Sequence, residues 1–335
     1  MKRPISGQPD PLLDPFAPAF SAWSIVSAAS TGIFDAIGEK TLSPAKIADD
    51  LGLDPDGVER LMPVLVHLGY SECEDGRYRL SEVSRRCLTT ENQHRRLSNW
   101  VRFCRFQLLA MSQLQSKLST GQGVGLFELM KTPEELRIHQ LAMAETAMFV
   151  AEWVATHLPI PRGAEKMVDI GGSHGLYSAE LCRRNPPMRA EVLELPGVAD
   201  AARSAAIELG TTDVVTHIEG DILTTDLPRE YSVAFLGNLV HHFQPEQLES
   251  VLERIWNHVS PGGTIAIWDM AAGSGPGNLV SDLFSLFFYL ISTGGCHSES
   301  HIEEVLQKAG FRQFQAIQPD GPSLHTLYVA TKPAP

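Results

Sequence analysis

The chain has few cysteines, and none of them are paired in sequence. Cys73, Cys87, Cys104, Cys182 and Cys296 are scattered over 335 residues with no C-x-x-C spacing. That argues against a disulfide framework and a cysteine-based structural zinc site, and it fits a reducing compartment. Long hydrophobic runs are also missing. No stretch reaches the roughly 18 apolar residues that a membrane-spanning helix needs. The richest run, Leu283 to Ile291, is shorter, carries Ser285 and reads as buried helix. Lys2 and Arg3 are followed by prolines and aspartates instead of an apolar core with a cleavage site, so no secretory signal is expected. Positive charge is in deficit: 27 basic residues stand against 40 acidic ones, a net charge of -13. The deficit is uneven, with 16 basic and 19 acidic residues over 1–160 and 11 against 21 over 161–335. An acidic C-terminal half repels phosphate backbones, so neither a nucleic-acid nor a membrane partner is expected. A cytoplasmic protein is the default reading.

What is present is enough for two ordinary domains. Hydrophobic residues make up 43% and charged residues 20%, the balance of a globular chain with a full core. The proline-rich start, to about Pro18, reads as an extended arm. Ala19 to Ile37 reads as one helix with a broad apolar face. Ser43-Pro44 and Asp54-Pro55 each place a capping side chain before proline at a first helical position. The second of these helices contains Pro63, which should kink it. Tyr70–Glu74 and Arg77–Leu80 flank Asp75-Gly76 and read as a hairpin. Three helices and a hairpin wing describe a winged helix. The helix that would enter DNA begins Asp54-Pro55-Asp56, with Glu59 close behind, and those acids would be repelled by phosphate. Packing and dimerisation is therefore the favoured role, and a ligand-sensing regulator the weaker one. Trp100 to Leu158 reads as further helices, and Pro159 to Gly163 as a linker. The expected domains are 1–160 and 161–335, the second an α/β domain of alternating strands and helices.

The chemistry-bearing motif opens that domain. Lys166–Ile170 is a short buried strand, Gly171-Gly172-Ser173-His174-Gly175 a tight turn, and Leu176–Arg184 a helix. The spacing is D-x-G-G-x-x-G, with Asp169 just before the turn, and not the G-x-G-x-x-G of a dinucleotide site. A pyrophosphate wants amide groups. An acid instead suits the cationic methionine end of S-adenosylmethionine. The next strand, Ala190 to Glu194, ends in a second acid, suited to accept hydrogen bonds from both hydroxyls of a ribose. The segment Gly220-Asp221-Ile222 ends a third strand with an acid that could meet the adenine amino group. Further strands are read at Ser232–Gly237 and Thr264–Asp269.

The ordered set VDIGGSHG, EVLELPGV, EGDIL, HHF and SPGGTIAIWDM resembles the small-molecule O-methyltransferase family. That family includes caffeic acid and acetylserotonin O-methyltransferases and bacterial natural-product enzymes. The resemblance covers nearly the whole chain. It implies a class I, Rossmann-like methyltransferase domain with a seven-stranded, mostly parallel sheet containing one reversed strand. Phe311–Gln318 and Ser323–Thr331 would supply the last two strands. It further implies an N-terminal winged-helix dimerisation domain, a homodimer and a small-molecule substrate. The cofactor it implies is S-adenosylmethionine, and the product S-adenosylhomocysteine. The residues expected to hold the cofactor are Asp169, Gly171, Gly172, Ser173, Gly175, Glu194, Leu195, Gly220, Asp221, Ile222, Gly237 and Asn238. His139, Met143, Phe149, Phe284 and Phe288 are expected to line the substrate pocket.

The pattern is broken at the catalytic positions. The family's His-Asp pair after the fourth strand reads His241-His242 here. The later loop that should supply a glutamate to orient the histidine reads Gly294-Gly295-Cys296-His297. His241 is the expected general base, with His242 and His297 beside it and His297 in the orienting position. No metal is assigned, although three histidines keep a metal-assisted carbon methylation open. So does a non-methylating use of the same cofactor site.

Overall fold

A computed structural model describes residues 10–89, 96–228, 230–272, 279–321 and 323–335. Residues 1–9 of the expected N-terminal arm lie outside the described residues. The chain forms two compact units, residues 1–108 and 109–335. The boundary expected near residue 160 thus falls inside the second unit, for a reason seen in its packing below. Among the described residues no helix is long and apolar enough to cross a membrane.

The first unit carries α1 (Ala17–Ser30), α2 (Ile33–Ile37), α3 (Pro44–Leu51), α4 (Pro55–His67), the hairpin β1 (Ser71–Glu74) and β2 (Arg77–Leu80), and α5 (Glu82–Leu88). The single helix expected over 19–37 is two helices. Gly32 takes φ +81°, a left-handed conformation that ends one helix before Ile33 begins the next. Ser43 and Asp54 cap α3 and α4 as expected. Their side chains accept the amides of Lys46 and Gly57 at 3.3 and 2.8 Å. Asp54 therefore serves as a helix cap, and α4 continues through Pro63. Asp75 and Gly76 adopt φ of 48° and 70°, the pair of positive values that a tight two-residue hairpin requires. Ile33, Phe34, Ile37, Ile47, Met62 and Leu65 form the buried centre of this unit.

Helix α6 (Ser98–Met111) runs to the boundary and past it. In the second unit follow α7 (Leu114–Thr120), α8 (Pro133–Ala147) and α9 (Ala151–His157). Then come β3 (Lys166–Ile170), α10 (Leu176–Arg184), β4 (Arg189–Glu194), α11 (Ala199–Leu209), β5 (Val215–Glu219), β6 (Tyr231–Gly237), α12 (Pro245–His258) and β7 (Val259–Met270). The chain ends with α13 (Leu279–Ser292), α14 (Glu299–Ala309), β8 (Arg312–Ile317) and β9 (His325–Thr331). The sheet order is β5-β4-β3-β6-β7-β9-β8, parallel except for β9, which runs antiparallel to both its neighbours. One face is packed by Leu248, Val251, Leu252 and Ile255 of α12 and by Ile302, Val305 and Leu306 of α14. The other face meets Leu181 and Cys182 of α10 together with Ala147, Ala151, Val154 and Leu158. Those last four belong to α8, α9 and the residue that ends α9. Because they complete the sheet's core, the boundary lies before α7 and not after α9. Strand order reverses between β3 and β6. In an open α/β sheet the crevice at such a point, beyond the carboxyl ends of the strands, is where ligands bind.

Candidate active site

The turn after β3 fills one half of that crevice. Asp169, almost wholly buried at 1% exposure, accepts the Ser178 hydroxyl on Oδ2 at 2.5 Å. Its Oδ1 is buried and has no hydrogen-bond partner among the described residues. Burial raises the carboxyl to about 7, against the Ser178 hydrogen bond, and the charge of Glu194 adds to the rise. Gly172 lies directly on this carboxyl. A Cβ at that position would overlap the Asp169 side chain, which is why the turn needs glycine there. Ser173, where the family carries a third glycine, sits at φ 52° and tolerates it because its polar groups are engaged. Its hydroxyl donates to Gln140 of α8, and its carbonyl accepts Nε2 of His217 at 2.7 Å.

Glu194 ends β4 beside the turn and is buried. Its Oε1 accepts the amide of Leu195 at 2.9 Å. Burial pushes this carboxyl above its ordinary range, while the amides of Leu195 and Ser173 pull it down. Leu195 itself is 40% exposed, an apolar surface next to the carboxylate. Gly220 donates its amide to the Glu194 carbonyl at 3.0 Å, which sets Asp221 and Ile222 beyond the neighbouring strand. On the other side of the switch point, Asn238 follows Gly237 at φ 53°. The Asn238 amide donates to the Trp268 carbonyl at 2.8 Å, and its Oδ1 accepts Nε2 of His325 at 2.8 Å. These residues suit S-adenosylmethionine. The buried, partnerless Oδ1 of Asp169 can receive an ammonium, Glu194 a pair of hydroxyls, and the Leu195 surface a flat base. Each expected cofactor residue lies on one of these strand ends or in the glycine turn.

The second half of the site is built on the β6–α12 loop, where residues 240–242 make a 3-10 turn. His241 is 4% exposed, and its Nδ1 lies 2.6 Å from Oδ1 of Asp269. Asp269 stands at the carboxyl end of β7 and is also buried. Its Oδ2 accepts the amides of Val240 at 2.9 Å and His241 at 3.4 Å, and Oδ1 accepts the amide of Met270 at 2.7 Å. Burial alone would raise this carboxyl. The charge and hydrogen bond of His241, the charge of His325 and the Met270 amide together hold it below the ordinary carboxylate range. A carboxylate on Nδ1 fixes the proton there and leaves Nε2 as the basic nitrogen.

Asp269 was legible as a strand-end acid, like Glu194, but was given no role in the sequence. The orienting position was assigned to His297, and that residue does something else. Its Nε2 donates to the carbonyls of Val240 and Phe243 at 3.1 and 3.2 Å. It braces the backbone of the turn on both sides of His241. Burial lowers its pKa, as does the neighbouring His301. Gly294, also unassigned in the sequence, packs so closely on the same turn that a Cβ would overlap the His241 carbonyl, and Gly295 donates its amide to that carbonyl at 2.9 Å.

Phe288 of α13 stacks flat on His241, with ring centroids 3.6 Å apart, and meets His242 edge-on at 5.6 Å. Phe284 continues the stack at 5.9 Å. His139 of α8 meets Phe127 edge-on at 5.4 Å, and burial lowers its pKa to about 4. Met143 follows one turn later in the same helix and is partly buried. Phe149, expected with them, is 52% exposed. Among the described residues no three His, Cys, Asp or Glu side chains are grouped to hold a metal ion.

The model of the O-methyltransferase domain matches residues 94–312, and that of the O-methyltransferase dimerisation domain matches residues 20–90. The chain belongs to the O-methyltransferase family. Its cofactor is S-adenosylmethionine, and it is a methyltransferase. An L-tyrosine C(3)-methyltransferase of Streptomyces lavendulae is 28% identical, over 93% of this chain and 90% of that protein. The tetracenomycin polyketide synthesis 8-O-methyl transferase of Streptomyces glaucescens is 28% identical, over 94% of each. Human N-acetylserotonin methyltransferase, solved in complex with S-adenosylmethionine, shares the fold with a TM-score of 0.85 at 22% identity, over 98% of this chain and 99% of that one.

Proposed function

We infer that the enzyme methylates a hydroxyl of a small aromatic molecule, with His241 as general base. The observation that carries this reading is the buried pair of His241 Nδ1 and Asp269 Oδ1 at 2.6 Å. S-adenosylmethionine supplies an electrophilic methyl group on a sulfonium. Asp169, Glu194 and the glycine turn hold it. His241 takes the hydroxyl proton on Nε2, and the resulting imidazolium is stabilised by the Asp269 carboxylate. Phe284, Phe288, Phe127 and Met143 supply an apolar wall that orients an aromatic acceptor and excludes water. Holding the two reactants in line is worth roughly 7–11 kcal/mol of barrier, and proton removal about 100- to 10,000-fold in rate.

The same reading includes a homodimer acting in the cytoplasm. Its support is the dimerisation domain, the exposed Phe16, Phe20 and Trp23 of the first unit, and the free thiols. Incubating the protein with S-adenosylmethionine and a panel of phenols tests the chemistry, with S-adenosylhomocysteine release as readout. The expected product carries its new methyl on oxygen. A methyl bonded to ring carbon, seen by NMR, would replace this reading with carbon methylation.

A further inference from the structure

Two imidazoles stand side by side next to Phe288, with ring centroids 4.4 Å apart. Asp269 fixes the first as the Nδ1–H tautomer, so Nε2 of His241 is an acceptor. The second is fixed by Ser292. The Ser292 hydroxyl donates its single proton to the Phe288 carbonyl at 3.0 Å, one turn back along α13. Its oxygen therefore accepts from Nδ1–H of His242, at 3.2 Å. Nε2 of His242 is left as a second acceptor, and it has no partner among the described residues. Burial and the adjacent His241 lower the pKa of His242 to about 3, which keeps the ring neutral.

We propose that His242 is a substrate-binding acceptor, and that the enzyme selects phenols bearing an O–H or N–H donor on the carbon next to the accepting hydroxyl. This rests on the hydroxyl methylation proposed above. Two acceptors on adjacent rings are met by two donors on one small ring, the first at His241 and the second at His242. Both imidazoles border the same aromatic side chain, Phe288, and their centroids are close enough for one small ring to span the two. A phenol with hydrogen at the neighbouring carbon displaces water from Nε2 of His242 without giving it a donor. A methoxy group there turns an oxygen lone pair towards it. Each loses binding that a donor would supply. A methylated catechol has lost one of its two donors, so a second methylation is disfavoured.

The test compares catechol and 2-aminophenol with phenol and 2-methoxyphenol, using the full chain and S-adenosylmethionine. The wild type is expected to show about 10- to 100-fold higher kcat/KM for the first pair, carried mainly by KM. In His242→Phe that ratio should fall to within about threefold, and in His242→Gln, whose amide oxygen can accept, part of it should return. S-adenosylhomocysteine affinity, measured by calorimetry, reports whether the variants are folded. A wild-type ratio near one, or a ratio that survives in folded His242→Phe, would overturn the proposal while leaving phenol methylation standing. Methyl transfer to none of the four compounds would overturn the underlying reading, and this one with it.

Discussion

The Ser178 hydroxyl donates to Oδ2 of Asp169 at 2.5 Å, while Oδ1 of the same carboxyl, also buried, lies against Gly172 of the glycine turn with no partner among the described residues. A carboxyl held at about 7 by burial binds more protons when folded than when unfolded between its ordinary pKa and 7. Its contribution to stability is therefore full below the ordinary carboxylate pKa and is lost as pH rises to about 7. A cation at Oδ1 reverses the preference and displaces the proton. Affinity for S-adenosylmethionine should therefore climb between pH 6 and 8, by at most about tenfold per unit, with proton release on binding. Calorimetry in buffers of different ionisation enthalpy reads both effects, and Asp169→Asn should abolish the pH dependence.

Gly172→Ala puts a methyl group into the Asp169 carboxyl. Overpacking of that kind costs about 1–3 kcal/mol. The strain falls on the cofactor turn, so cofactor affinity should drop more than melting temperature. Equal affinity in wild type and variant would show that the turn relaxes without consequence.

His241→Gln should reduce kcat by about 100- to 10,000-fold with cofactor affinity nearly unchanged. Asp269→Asn should also reduce kcat, because an amide no longer stabilises an imidazolium and gives up the carboxylate that the Val240 and Met270 amides bond. The loss in both variants should be greatest for the least acidic hydroxyl. His297→Ala should act differently, lowering melting temperature along with rate, since its ring braces the backbone of the turn. A His297→Ala enzyme with wild-type melting temperature and a collapsed kcat would restore it to a direct catalytic role.

Acid should destabilise the protein through histidines buried in neutral form. Burial lowers His139 to about 4 and both His174 and His242 to about 3. The unfolded chain protonates these rings as pH falls below about 6.5, and the folded chain does not. Their stabilising contribution is complete above that pH and is lost on going down. Thermal melts from pH 7.5 to 5 should show a falling midpoint, shallower in His174→Asn. A flat profile would mean that these rings are hydrated in solution.

Light scattering at micromolar concentration should give twice the monomer mass, and Phe20→Glu should shift it towards the monomer. Phe20 is 62% exposed and its ring lies 4.2 Å from that of Phe16, an apolar pair suited to cover by a second copy. A wild-type monomer would remove the dimer.

The local signals that survived translation into structure were those written in neighbouring residues. The D-x-G-G-x-x-G turn, the hairpin at Asp75-Gly76 and the caps at Ser43 and Asp54 each depend on the chain within a few positions, and each is found where it was read. The family pattern also implied one reversed strand without saying which, and β9 is that strand. The misreadings were of tertiary origin. Asp269 lies 28 residues from His241 in sequence, and only the pairing of β6 with β7 brings their loops together. His297 was placed by its position in a loop pattern, which says nothing about which atoms its ring meets. The domain boundary was drawn at prolines, although α8 and α9 pack into the sheet of the second unit. The break at Gly32 was written in the sequence, but it was masked by apolar spacing that runs through it.

The base we propose is anchored to the end of a central strand, while the proposed substrate wall is carried by helices α8 and α13. Asp269 is held by the same strand pairing that holds the sheet together, so the position of the His241 ring is inherited from the sheet. The side chains of His139, Met143 and Phe284 can be exchanged without moving that ring's carboxylate, whereas Phe288 stacks on the ring itself. Directed evolution for a new acceptor should therefore accumulate its changes on the two helices, and variants that gain a substrate there should keep the proton-abstracting geometry they started with.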